Sequence, residues 1–131
     1  MCSLTNRKNN MIQGLRTVVY PVSNLQVGKE WYSKVLETAP YFDQPFYIGF
    51  AVGGFELGLV PDGVPGASGA VAYWGVPNAA TELTRLQALH AVVHEALHDV
   101  GDGIKVASLL DPFGNVFGII ENPHFDPKAV R

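Results

Sequence analysis

The sequence predicts an α+β domain built from two tandem β-α-β-β-β units that form a curved mixed sheet around a cup. Three observations predict it. A strand-like stretch is followed by a capped amphipathic helix and then by further strands, and the order occurs twice. Val22-Ser23-Asn24 and Val76-Pro77-Asn78 stand at corresponding points, each after a strand and before a helix, 54 residues apart. Between the copies, Pro61 to Gly69 holds two prolines and three glycines, which is linker composition.

The first strand is read over Leu15 to Val22, where Val, Thr and Tyr suit a pleated backbone. Ser23 and Gln26 then form a capping-box pattern that opens a helix from about Leu25 to Glu37. Its apolar face carries Leu25, Tyr32, Val35 and Leu36, and Pro40 bars continuation. Large apolar residues next occupy alternate positions at Phe46, Ile48, Phe50 and Val52. Gly53-Gly54 separates them from Phe55, Leu57 and Leu59, a hairpin signature.

The second unit repeats this order. A strand is expected over Ala70 to Val76, a helix capped by Asn78 with Leu83 and Leu86 on one face, and extended segments near Val92, Ile104 and Val116. Asp111-Pro112-Phe113-Gly114-Asn115 joins the last two apolar stretches and has the residue types of a tight turn. Turn chemistry alone accounts for it.

A chain of 131 residues that is 47% apolar and 16% charged has the core material of one domain. Residues 1–10 read as a disordered or extended N-terminal segment. The domain spans 11–125, with units 11–61 and 69–125, and 126–131 form a tail. The nine Lys and Arg residues are scattered and the formal charge is −3, so nucleic acid is not an expected partner. No apolar run reaches the ~18 residues of a membrane span, and a cytoplasmic location is expected. Cys2, the single cysteine, permits no internal disulfide and is read as an incidental thiol.

Val22-Ser23-Asn24-Leu25 with Trp31-Tyr32 and Leu36, paired with Asp111-Pro112-Phe113-Gly114-Asn115 before the last strand, resembles the vicinal oxygen chelate superfamily of glyoxalases, bleomycin resistance proteins and extradiol dioxygenases. The resemblance covers about Met11 to Phe125. It implies a homodimer and a divalent metal held in the cup by His or Glu from the first and last strand of each unit. At the four corresponding positions this chain has Thr17, Glu56, Val71 and Gly118. Only Glu56 is a first-choice metal ligand, so no cofactor is expected, with a divalent metal kept as the alternative.

By alternation, Thr17, Val19, Glu56, Gly58, Val71, Tyr73, Gly118 and Ile120 face the cup. Glu56 and Tyr73 are its polar fixtures, and the rest leave it apolar. Glu56 is the candidate catalytic residue. Unpaired and buried, its carboxyl would have a raised pKa suited to a general base; the alternative is an exposed carboxylate or a pair with Arg16 or Lys105. Tyr20, Tyr47, Tyr73 and Trp74 fall on strands, where rings build core or line a pocket, and Trp74 is placed beneath the helix layer. His90, His94 and His98 recur every four residues, yet the repeat puts a strand there rather than a helix. They are read as solvated or turn histidines that, with Glu95, form the reserve metal set.

The expected function is binding of a small apolar or aromatic molecule in the cup, without the family's complete metal site. The alternative is a metal-dependent glyoxalase-like lyase or isomerase, or an extradiol-type dioxygenase.

Overall fold

The computed structural model describes residues 15–68, 70–126 and 128. The segment 1–10, Cys2 with it, and most of the tail 126–131 lie outside the described residues. Within them two β-α-β-β-β units follow one another. The first comprises β1 (Thr17–Pro21), α1 (Leu25–Leu36), β2 (Phe42–Gln44), β3 (Tyr47–Val52) and β4 (Phe55–Val60). The second comprises β5 (Ala72–Gly75), α2 (Ala79–Ala88), β6 (Val92–Gly101), β7 (Ile104–Leu110) and β8 (Val116–Glu121).

Each unit forms its own four-stranded mixed sheet, in the order β1-β4-β3-β2 and β5-β8-β7-β6. In both, the first strand pairs in parallel with the last, and the remaining pairs are antiparallel. A parallel pair needs a long crossover, and the helix with its two following strands supplies it.

The helices begin where the repeat places them, with one correction. Asn24, not Ser23, is the N-cap of α1: its side chain accepts the Val27 amide at 3.0 Å, while Gln26 turns outward to Glu30. Asn78 caps α2 in the same way through the Thr81 amide at 2.9 Å, and the two caps share nearly the same extended backbone. Asparagine competes well for this role because its short carbonyl reaches back to the first turn, and the serine one residue earlier stands outside it. Helix α1 ends on Glu37 in the left-handed region, ahead of Pro40.

Helix α1 buries Gly28, Trp31, Tyr32 and Val35, a stripe at helical spacing. Across the sheet, Ile48, Phe50, Leu57 and Leu59 point to the same side, as alternation predicts, and Phe50, Leu57 and Leu59 are fully buried. Each such side chain contributes about 1.5–3 kcal/mol of apolar burial. Phe46 does not continue the row; it lies in the turn before β3 and is exposed. Gly53 and Gly54 turn the β3–β4 hairpin with φ of 57° and 88°, values that match the twist of the strands they join.

Strand β2 is absent from the sequence reading because its three residues are all exposed and have no apolar alternation. The strand read over Ala70 to Val76 is shorter, Ala72–Gly75.

The helix-bearing faces of the two sheets meet in one core. Trp74 stacks on Phe117 with ring centroids 5.7 Å apart, and Phe117 and Tyr20 each approach Tyr32 at about 6 Å. Trp74 thus packs inward, as expected. Polar groups reinforce the join: Trp31 donates to the Leu89 carbonyl at 2.8 Å, Arg85 to the Val35 carbonyl at 2.7 Å, and Tyr32 to Asp111 at 2.7 Å. The Tyr20 hydroxyl and the Trp74 indole N–H are buried without a partner at hydrogen-bonding geometry. Burial is the main reason the Tyr20 phenol is raised, the nearby indole offsetting it in part.

The Asp111–Asn115 turn is a hairpin turn, closed by bonds from the Asp111 amide to the Asn115 carbonyl and from the Gly114 amide back to Asp111. It is also a joint between the units. Asn115 donates to the Pro21 carbonyl at 2.8 Å and accepts the Gly66 amide at 3.0 Å. The linker is therefore pinned to the second unit's last hairpin.

Candidate functional site

The face of each sheet turned away from the shared core is the one that sequence alternation assigned to the cup. On the first sheet it carries Thr17, Val19, Glu56 and Gly58, with Thr17 opposite Glu56 and Val19 opposite Gly58 in the β1–β4 register. On the second it carries Tyr73 opposite Gly118 and, one pleat along, Ile120. Val71 precedes β5 and is exposed. No hydrogen bond or ring contact joins the two faces among the described residues. Glu56 and Tyr73 thus stand on different sheets.

Glu56 is the centre of the first face. Its Oε1 accepts the Thr17 hydroxyl at 2.7 Å and the Tyr47 hydroxyl at 2.6 Å, and its Oε2 accepts the Tyr41 hydroxyl. The expected raised pKa is corrected by this arrangement. Hydrogen bonds from Tyr41 first, then Tyr47, hold the carboxyl below its ordinary value near 4.5, against a desolvation that acts in the other direction. Lys105 forms no ion pair with it among the described residues. The same bonds raise Tyr41, while Tyr47 is raised by burial first and by Glu56 second.

Two glycines make room for this cluster. Gly49 and Gly58 face one another across the β3–β4 hairpin. A Cβ at Gly49 would stand 2.7 Å from Glu56 Oε2 and 3.2–3.3 Å from the Tyr41 and Tyr47 rings, and a Cβ at Gly58 would overlap the Tyr47 hydroxyl. Tyr41 is positioned by the bond from its amide to the Gly49 carbonyl at 2.9 Å. Beyond the tyrosines, Phe42 lies 6.1 Å from both Tyr47 and Phe46 in edge-on geometry, so four rings form one exposed rim.

Tyr41 and Phe42 were missed by sequence reasoning, and Tyr47 was placed only as a strand aromatic. The available signal was the parity of Tyr47, Gly49 and Gly58 with Glu56 across the hairpin. Two facing glycines on a buried hairpin ask what fills the space above them.

Because the Glu56 carboxyl is depressed, its hydroxyl bonds stabilise the fold fully above the ordinary carboxylate range and lose that effect as pH falls through the folded value. Thermal melting against pH should therefore show wild type losing stability relative to Glu56→Gln on acidification, the gap closing once Glu56 is protonated. A gap independent of pH would contradict the hydroxyl clamp.

The reserve histidines are dispersed. His90 sits in the turn after α2 with φ of 73°, and His94 and His98 lie on β6, whose pairing with β7 shifts register on both sides of Glu95. The strict alternation that would put them on one face is broken there. His98 instead bonds through Nδ1 to the Ala96 carbonyl oxygen at 2.8 Å. Among the described residues no group of three or more His, Cys, Asp or Glu is placed to hold a metal ion. At the four metal positions, valine and glycine side chains offer no donor and Thr17 offers only a neutral hydroxyl, so the residues of one chain do not fit the metal that the resemblance implies.

A groove of about 230 Å³ opens on the opposite side of the first sheet, lined among others by Leu36, Val52, Trp74, Arg85 and Phe117. None of the residues assigned to the cup lines it. No helix among the described residues is long and apolar enough to cross a membrane.

This topology is the glyoxalase-like α+β fold, and the structural neighbours are glyoxalase, bleomycin resistance and dioxygenase family proteins. The fosfomycin resistance protein FosX from Listeria monocytogenes superposes with a TM-score of 0.74 at 12% identity, over 87% of this chain and 97% of that one. A glyoxalase-related enzyme from Fulvimarina pelagi gives 0.71 at 19% identity, covering 86% and 90%. Lactoylglutathione lyase from Agrobacterium tumefaciens gives 0.69 at 20% identity, covering 87% and 98%. No family model and no curated protein matches the sequence. At these identities the likeness establishes the fold.

Proposed function

We propose that the chain is a cytoplasmic small-molecule binding protein that takes an apolar or aromatic ligand on the Glu56 face without a metal. The observation that carries this reading is the carboxylate held by three hydroxyls inside an aromatic rim. A preformed, orienting polar group set among apolar walls is the usual composition of a ligand site. A metal-binding Glu needs its lone pairs, and three of the roughly four on Glu56 are taken by Thr17, Tyr41 and Tyr47.

Each chain presents its faces open. Val19 and Tyr73 are 46% and 44% exposed, and β1 and β5 are edge strands with unpaired backbone groups. A homodimer in which a second copy walls each face is part of the proposal.

The test is metal content by elemental analysis of protein purified without a metal-affinity tag, together with gel filtration and thermal-shift screening of small aromatic molecules. The expected result is far less than one divalent ion per chain, a dimeric elution volume, and aromatic ligands that raise the melting temperature of wild type more than that of Glu56→Ala. Near-stoichiometric metal that is lost in Glu56→Ala would overturn this reading in favour of a metal-dependent lyase, isomerase or dioxygenase.

A further inference from the structure

The second sheet carries a site of its own. We propose that its outer face binds a neutral aromatic hydrogen-bond donor, of which phenol is the simplest, through the Ser108 hydroxyl and the Tyr73 ring. The inference stands apart from the Glu56 reading, because every residue in it belongs to the other sheet.

Strand register builds the site. Residues directly opposite one another in a sheet share a face. Glu95 on β6 pairs with Ser108 on β7, Ser108 with Gly118 on β8, and Gly118 with Tyr73 on β5, which makes one row across all four strands. His98, Val106 and Ile120 form the next row along. Ala107 and Leu109, on either side of Ser108, are fully buried in the core, so Ser108 points the other way.

Ser108 is the unusual member of the row. It is 2% exposed, yet its hydroxyl forms no hydrogen bond among the described residues, and the side-chain atoms there that are both sealed and unpartnered are those of Tyr20 and Trp74. The hydroxyl therefore lies on the floor of the face with a narrow path to solvent. A hydroxyl that is largely desolvated and unbonded gains from any polar atom brought to it. Tyr73 walls this floor. A Cβ at Gly118 would stand 2.7–2.9 Å from two atoms of the Tyr73 ring, so the ring leans across β8 toward Ser108, and Tyr73 remains 44% exposed.

The other polar groups of the two rows accept hydrogen bonds. Glu95 is exposed and belongs to none of the ion pairs among the described residues. His98 donates through Nδ1 to the Ala96 carbonyl oxygen, which leaves Nε2 of the neutral imidazole as an acceptor. Neither row contains a Lys or Arg. Acceptors beside a ring suit a ligand that donates, and the Glu95 carboxylate repels an anion. At Ser108 a neutral O–H is desolvated at far lower cost than an ammonium group. A phenol meets these demands, its hydroxyl on Ser108 and its ring against Tyr73.

The experiment is an NMR titration of the full-length protein with phenol, anisole, benzylammonium and benzoate, read at the amides of Ser108, Gly118 and Ile120. Phenol should bind tightest, about tenfold tighter than anisole, which has the ring and no donor. Ser108→Ala should weaken phenol about five- to tenfold and leave anisole within about twofold. Because the hydroxyl makes no bond in the free protein, the same variant should keep its melting temperature within about 2 °C. Tyr73→Leu should weaken both neutral probes. Anisole, benzylammonium or benzoate binding as tightly as phenol overturns the proposal, as does a phenol preference that survives Ser108→Ala. A fall of more than a few degrees in the melting temperature of Ser108→Ala also overturns it, by giving the hydroxyl a structural role. Absence of shifts at the three amides at millimolar probe does the same. Shifts confined to Thr17, Gly49 and Gly58 overturn this proposal and leave the Glu56 reading standing.

Discussion

Asp111→Ala should lower the unfolding free energy by about 3–5 kcal/mol, the largest stability loss expected from a single polar substitution in this chain. Asp111 is 5% exposed and is the acceptor for four bonds: the Phe113 and Asn115 amides at 2.8 Å, the Asn115 side-chain amide at 3.0 Å and the Tyr32 hydroxyl at 2.7 Å. Removing it strands several buried donors, and each costs about 1–3 kcal/mol when no water can replace the acceptor. The loss also parts the two units, because Tyr32 belongs to α1 and Asp111 to the last hairpin. Urea denaturation followed by fluorescence of Trp31 and Trp74 measures it. Tyr32→Phe removes one of the four bonds and should cost about 1–2 kcal/mol. The double variant should fall short of the sum, since the pair is in direct contact. A loss from Asp111→Ala of under about 1 kcal/mol would show that the turn is only a turn.

That joint was not legible from sequence, whereas the elements it joins were. The spacing of Leu25, Tyr32 and Val35, the alternation from Ile48 to Val52, and the matched Asn24 and Asn78 all follow from local periodicity and backbone chemistry. Local rules act within a unit, and so they located nearly every helix and strand. The exceptions are informative. Strand β2 has no buried residue and forms because β3 offers it an edge, with Asp43 held by Lys29. The cap shifted from Ser23 to Asn24 because two capping residues were adjacent and side-chain reach decided between them.

The site was legible only in part, for a related reason. Alternation places Glu56 and Thr17 on one face, and the parallel β1–β4 register brings them together. It does not reveal that Tyr41 and Tyr47 bend over two glycines to reach the same carboxylate, since Tyr41 comes from a segment without periodicity. The expected raised pKa depended on Glu56 being unpaired, and three hydroxyls reverse the sign. Likewise the residues that alternation assigns to the cup fall on two four-stranded sheets, because each copy of the repeat pairs its own strands.

Gly58→Ala should separate the acidity of Glu56 from the stability of the fold. The new methyl group occupies the position of the Tyr47 hydroxyl, which is the far end of a half-buried side chain and can swing outward. The backbone at Gly58 is ordinary strand without positive φ, and alanine adopts it without strain. The fold should therefore keep its melting temperature within a few degrees, equivalent to about 1 kcal/mol or less. Glu56 loses one of its three donors and the second-largest cause of its depressed pKa, so its carboxyl should titrate closer to 4.5. Carbon-detected NMR titration of the Glu56 carboxyl reads this directly, and Tyr47→Phe should move it in the same direction by removing the same donor without crowding. Binding of a small aromatic ligand on the Glu56 face should weaken in both variants, more in Gly58→Ala, where the ring wall is displaced as well. If Glu56 titrates in Gly58→Ala as it does in wild type, Tyr47 is not one of the groups that hold it ionised. The acidity of this face would then rest on Tyr41 and Thr17 alone.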